Sequence, residues 1–308
     1  MRLFEYSDLT AEIPADIFDS IVDIERLHAL DGIRSSLYGE EMAVSRGPML
    51  DSAKAAAEIL YGAGSDAHSE AIGSLVSDPR DLSFDDPSLR HVCGLIGMAD
   101  GIYRSDSRRS AIRTEDIPEA LAALDESYRM ADGADVNPLL LVPAAVVDLI
   151  NVAPLSERNL EAAMLLMQSL FLSHGFMALA CVPLESMIDQ EDLEEALDDC
   201  SHGWADMSGD QFPFVRIVCE AVLACERRFD ACYPLDMGRK LDKSTRILNV
   251  IKESRAPLSK TDICSMLPDV SRRTADSVIS ELLESRMVEK MGSYRDARYT
   301  VPRERNYR

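Results

Sequence analysis

The stretch PLLLVPAAVVDLINVAPLSERNLEAAM, from Pro138 to Met164, decides how the chain is read. It opens on the apolar run Leu139–Val147, which is broken by Pro143 and closed by Asp148. That run falls far short of the ~20 residues a membrane span needs. After a second proline, Pro154, Ser156 and Glu157 have the chemistry of a helix start: a serine caps the first turn, and a carboxylate there complements the helix dipole. Leu160–Leu172 then continues in Ala, Leu and Met, which favour helix.

This segment resembles the centre of the Fic family of nucleotidyl transferases. There a helix of the form P-L-[LI]-[KR]-A-A-x-x-H-x-x-F-x-x-I runs into the motif H-P-F-x-[DE]-G-N-G-R-x-x-R. Without a gap, Pro138 and Pro154 match the two prolines, Leu155 the phenylalanine, Glu157 the acidic residue and Asn159 the asparagine. The motif histidine falls on Ala153, its glycines on Arg158 and Leu160, and its arginines on Glu161 and Met164. The frame is kept and the reactive groups are replaced.

Each replacement has a physical meaning. The resemblance gives the histidine the role of general base, and positioned proton transfer is worth roughly 10²–10⁴-fold; Ala153 has no titratable group. The glycines allow backbone N–H groups to close round a diphosphate at a helix N-terminus. Arg158 and Leu160 carry Cβ atoms, which disfavour the φ > 0 conformations of such a nest. Glu161 puts a negative charge where the family has an arginine, and a charge pair at about 4 Å in a medium of effective dielectric near 20 is worth ~4 kcal/mol. Glu157 is a weak candidate for Mg²⁺, since one carboxylate without the phosphates does not complete octahedral coordination. The same glutamate reads equally as a first-turn residue of a helix.

The likeness extends along the chain. IRSSLYGEE (Ile33–Glu41) is similar to the S-S-x-I-E-G stretch whose glutamate, in many family members, pairs with the second motif arginine; in register that position is Gly39. Read alone, the same residues are a polar turn or a helix start. GIYRSDSRRSAIRTEDIPEAL (Gly101–Leu121) resembles the segment leading into the family's target-binding flap, a small hairpin. GWADMSGDQFPFVRIVCEAVLACERRF (Gly203–Phe229) carries the W…D-x-x-P-F-[VI] pattern of a later family helix.

Helical periodicity dominates the first 230 or so residues, as in the face made by Ile17, Ile21, Ile24 and Leu27. Ala53–Leu60 and Ile117–Leu124 are further helical stretches, and His174-Gly175 has the chemistry of a helix C-terminus. The glycine-rich GAGSD (Gly62–Asp66) follows a helical pattern rather than a strand and reads as a loop. EDLEEALDD (Glu191–Asp199) reads as a solvated acidic face. The N-terminus meets Glu5 and Asp8 at once, unlike a secretory signal. Seven scattered cysteines with no C-x-x-C pair read as buried thiols of a reducing compartment, so a cytoplasmic protein is expected. Five histidines without paired spacing suggest no metal site.

Charge divides the chain. From Arg239 to Arg308 there are 16 basic and 10 acidic residues, net +6, which leaves −28 on residues 1–238 within a total of −22. A basic tail on an acidic body is the composition of a DNA-binding appendage. The local pattern agrees. Ser244–Arg255 is an amphipathic helix, Lys260–Leu267 a short second one behind Pro257-Leu258-Ser259, and Ser271–Ser285 a third with Ala275, Val278, Ile279 and Leu282 inward. Met287–Lys290 and Arg298–Val301 would pair as a two-stranded wing. This order resembles a winged helix-turn-helix, in which the third helix enters the major groove. Ser271, Arg272, Arg273 and Ser277 would then face DNA, with Arg295 and Arg298 reaching it from the wing; such folds also serve as protein-docking modules.

The expected fold is an all-α Fic-like helical domain with a small flap hairpin (1–235), a linker (236–243), an α+β winged-helix domain (244–302) and a basic tail (303–308). The expected function is DNA binding or regulation, with no resident cofactor, no membrane, and either a protein partner or a second copy of the chain adding contacts. The alternative is a Fic-type transferase using ATP and Mg²⁺ with Glu157 or Glu161 in place of the histidine.

Overall fold

The computed structural model describes residues 6–10, 13–62, 65–78, 80–98, 112–206, 208–236, 239–254, 256–293 and 297–302. At its centre is the segment that opened the reading. Helix α7 (Pro138–Val152) is buried on nearly every side, and α8 (Asn159–Ser173) packs along it. Pro143 lies inside α7 without ending it. A helical proline removes one i→i−4 hydrogen bond, and the carbonyl left over, that of Leu139, accepts the Cys219 thiol at 3.6 Å.

Around this pair the body is helical. α1 (Ala15–His28) lies on α10 (Phe212–Cys232), which also packs on α7 and on α9 (Gln190–Ser201). α3 (Arg46–Leu60) pairs with α4 (Ser65–Ser77); α5 (Asp86–Leu95) rests on α8, and α6 (Ile117–Asp132) on α7. Ile17, Ile21 and Ile24 form the buried face expected of α1. The run 33–41 is the interior of α2 (Asp31–Val44) rather than a turn, because Tyr38 on its inner face is fully buried. The expected ends of α8 differ. It closes on His174 and Gly175 (φ 89°) as read, but it begins at Asn159, so Ser156 and Glu157 lie exposed in the preceding turn and cap nothing.

Asp148, near the end of α7, ties the body together. Its carboxylate accepts Tyr6 Oη (2.7 Å), Trp204 Nε1 (2.7 Å) and Gln211 Nε2 (3.1 Å), which seats the W…D-x-x-P-F segment against α7. Phe214 and Val215 of that segment are wholly buried.

Beyond α10 the chain forms a short hairpin, β1 (Leu235–Asp236) with β2 (Arg239–Lys240), then α11 (Lys243–Glu253), α12 (Lys260–Met266) and α13 (Arg272–Glu284). Ser259 and Asp262 make a reciprocal capping box at α12, and Ser271 caps α13. Strands β3 (Glu289–Met291) and β4 (Arg298–Thr300) pair antiparallel, with Lys290 opposite Tyr299, and Leu258 adds a bridge to Tyr299.

A second hydrophobic core joins these elements to the body. Tyr38, Phe229, Cys232 and Tyr233 pack with Ile247, Val250, Ile251, Ile263 and Ile279. Arg246 is buried at the seam: its guanidinium donates to Asp269 through two nitrogens (2.9 and 3.0 Å) and to the Cys232 carbonyl (2.6 Å), between the rings of Tyr38 and Tyr233. Tyr38 Oη donates to the Pro234 carbonyl and accepts Leu241 N. Among the described residues no helix is long and apolar enough to cross a membrane.

Candidate functional site

The turn between α7 and α8 keeps a shape that its sequence argues against. Ala153 (φ 46°, ψ 61°) and Arg158 (φ 56°, ψ 27°) are both left-handed, a conformation that costs an L-residue roughly 1–2 kcal/mol. The expectation that Arg158 resists positive φ is therefore corrected, whereas Leu160 is helical. Hydrogen bonds offset the cost. Asn159 closes the turn on itself, its Oδ1 accepting Leu155 N and its Nδ2 donating to Leu155 O, both at 2.9 Å. Arg158 donates to the Ile96 carbonyl (2.8 Å) and through two nitrogens to Glu161 (2.6 and 2.8 Å).

Glu161 is the centre of the site. It is buried in the first turn of α8, where unpaired N–H groups and the helix dipole favour an anion. Besides Arg158, its Oε1 meets His68 Nδ1 at 3.1 Å, and the other face of that imidazole, Nε2, meets Glu185 Oε1 at 3.1 Å. His68 is wholly buried, with the Tyr61 ring 5.1 Å away. The result is a chain of alternating charge, Arg158–Glu161–His68–Glu185, threaded from a partly exposed guanidinium into the core. Met164 is buried among apolar residues and takes no part.

The charges hold one another in place. Burial works against a charged imidazole, but hydrogen bonds to Glu161 and Glu185 overcome it and raise His68 to about 9. Burial likewise opposes ionisation of Glu161, yet His68 and then Arg158 bring its carboxyl below the ordinary value. A histidine raised in the fold adds stability that is complete below its unfolded value of 6.5 and is lost as pH rises towards 9. We therefore expect chemical-denaturation stability to fall between pH 6.5 and 8.5, with a slope that His68→Gln flattens. An unchanged slope in the variant would remove His68 as the cause.

Chemically, the site is saturated. A phosphate arriving at the start of α8 would meet Glu161 already in its place, held by the cations that would otherwise receive it. Glu157 is exposed; it makes no hydrogen bond to this cluster among the described residues, and only its charge reaches Arg158. His174 lies at the far end of α8 with Tyr128 and Asp132, away from this cluster. The histidine that does reach the motif is His68. Its signal was the spacing His68–Ala71–Ile72–Leu75, which places it on the buried face of α4. Glu185, in a short 3₁₀ turn, carried no such signal.

In the C-terminal elements, Arg272 and Arg273 are exposed at the start of α13 with no hydrogen-bonded or ionic partner among the described residues. Ser271 is engaged as the helix cap through Thr274 N, and Ser277 faces Glu281 at 3.4 Å. Arg298 on β4 is exposed and donates to the Pro257 carbonyl (3.1 Å). Arg295 and the segment Gly101–Arg104 lie outside the described residues. All seven cysteines are free thiols.

No family model matches the chain, and no curated protein matches it in sequence. In three dimensions it is similar to the crystal structure of a Fic family protein from Desulfovibrio desulfuricans G20, with a TM-score of 0.52 over 94% of this chain and 97% of that one, at 15% identity. The likeness shows a shared, mostly helical fold.

Proposed function

We propose that this Fic-fold chain transfers no nucleotide and acts as a regulator that binds DNA through a C-terminal winged helix. One contrast carries the reading. The cations near the motif, Arg158 and His68, are turned inward onto Glu161, while Arg272 and Arg273 at the head of α13 are turned outward and unpaired among the described residues. Three helices followed by a hairpin, with Leu258 adding a bridge to it, are the parts of a winged helix, and the first turn of its third helix is what meets base edges and phosphates. Asp276, on the same face, is neutralised by Lys260 at 2.6 Å. Arg298 and Arg295 would add wing contacts, Ser277 a polar one, and Ser271 would act through its cap. Because the rest of the chain is strongly acidic, binding would be local in origin, and a second copy of the chain would double the phosphate contacts.

The test is selection from a genomic DNA library at two salt concentrations. Wild type should enrich particular sequences, and Arg272→Ala/Arg273→Ala should lose that enrichment and flatten the salt dependence by about one unit per phosphate contact removed. Equal enrichment in both proteins would sink the reading. Alongside it, millimolar ATP–Mg²⁺ should leave the melting temperature unchanged, since a ligand at 100 times its Kd stabilises by ~2.7 kcal/mol. A rise would favour a transferase with altered residues. Exposed Met287 and Met291 at the hairpin favour a second reading, protein docking by the same unit, which would show as no DNA enrichment even at low salt.

A further inference from the structure

We infer that His28, Asp31 and Glu226 form a site for one divalent transition-metal ion, of the zinc class, which fastens the α1–α2 corner to α10. The three donors come from the last residue of α1, the first of α2 and the middle of α10. Their ligand atoms lie within 4.8 Å of one another. His28 Nδ1 is 3.4 Å from Asp31 Oδ2 and 3.9 Å from Glu226 Oε1. Two donors bound at about 2.1 Å to a tetrahedral ion are roughly 3.4 Å apart, so the corner needs only a small contraction to close on a metal.

An independent observation points the same way. Glu226 is wholly buried, and neither of its carboxylate oxygens has a hydrogen-bond partner. Buried polar groups are otherwise paired, and an orphaned carboxylate asks for a counterion. Asp31 is also buried, and its two oxygens are divided: Oδ1 accepts Arg34 Nη1 at 3.2 Å, while Oδ2 faces His28 and accepts the Ala178 N–H at 3.4 Å. Arg34 is itself occupied by Asp230. Asp230 is half exposed to water, whereas Arg34 and Asp31 are both buried and paired, so Glu226 is left as the buried carboxylate with no cation of its own.

The imidazole is also prepared. Its ring is stacked on Phe176 at 4.1 Å and 14°, which holds the plane of the imidazole. His28 is the least buried of the three, so solvent would supply the remaining ligand from its side. One imidazole and two carboxylates suit Zn²⁺, Mn²⁺ or Fe²⁺ better than a thiolate-seeking ion.

Full-length protein freed of metal with a chelator is titrated with zinc, and separately with cobalt, following melting temperature and the visible spectrum. Wild type should take up one equivalent, melt about 5 °C higher in saturating zinc, and return on chelation. Cobalt should give visible ligand-field bands without the near-ultraviolet absorption of a thiolate. Glu226→Gln, which keeps the shape, and His28→Phe, which keeps the stack on Phe176, should each weaken zinc by more than the ~10–100-fold cost of losing an outer-sphere partner. No uptake by wild type in large zinc excess, unchanged affinity in the variants, or a thiolate band would each overturn the site. If Glu226→Gln does not fold, His28→Phe and the cobalt spectrum decide.

Discussion

Replacing Glu161 with leucine is expected to lower the stability of the protein by about 3 kcal/mol, a drop of about 5 °C in melting temperature. The carboxylate is buried, and Arg158 and His68 converge on it; removing it leaves two cations without their shared anion. Breaking a buried ion pair from one side typically costs ~3–5 kcal/mol. The lower end is expected here for two reasons. Arg158 is partly exposed and can turn to water, and His68 can release its proton while keeping Glu185. Glu161→Gln retains the shape and part of the hydrogen bonding, so it should cost less. Urea denaturation at pH 7 measures both. Equal losses in the two variants would show that the charge, which both remove, and not the shape and residual hydrogen bonding that glutamine keeps, makes Glu161 necessary. A leucine variant as stable as wild type would remove the internal anion from the account of the site.

The second large effect is at the seam. Arg246→Met should destabilise by about 3–5 kcal/mol, because it strips Asp269 of a bidentate partner and leaves the Cys232 carbonyl unpaired in the core. Lys243, 3.4 Å from Asp269, softens the loss. Arg246→Met with Asp269→Leu should recover at least half of it, since neighbouring members of one ion pair are not additive. Trp204 is the only tryptophan and lies in the helical body. In wild type, fluorescence and far-ultraviolet circular dichroism should report one melting transition. In Arg246→Met the dichroism should begin to fall before the tryptophan signal does. Coincident curves in the variant would show that the seam is held by its apolar residues alone.

Much of this was legible in residue order. Apolar spacing marked α1, α8 and the three C-terminal helices, and Pro257-Leu258-Ser259 marked where the second of them begins, because capping is a local matter. Asn159 was legible as part of a frame, and its hydrogen bonds to Leu155 give the frame its physical content. Convergence was not legible. His68, Glu161 and Glu185 meet across separations of 93 and 117 residues, and no local pattern encodes that. Arg246 reads as an ordinary polar residue of an amphipathic helix; only the approach of Tyr38 and Tyr233 buries it. Arg158 misled for the opposite reason. A sound local rule about positive φ was overridden by three hydrogen bonds that its own side chain makes.

The shared core of α10 and α11 has a mechanical consequence. Phe229, Tyr233, Ile247 and Ile251 pack as one cluster, so α13 has no hinge behind it among the described elements and moves as the whole molecule moves. On the DNA-binding reading proposed above, two such chains side by side on a duplex would hold their α13 helices like the jaws of a fixed caliper. A target with its half-sites one base pair further apart, turned by a tenth of a helical turn, would then be refused rather than accommodated.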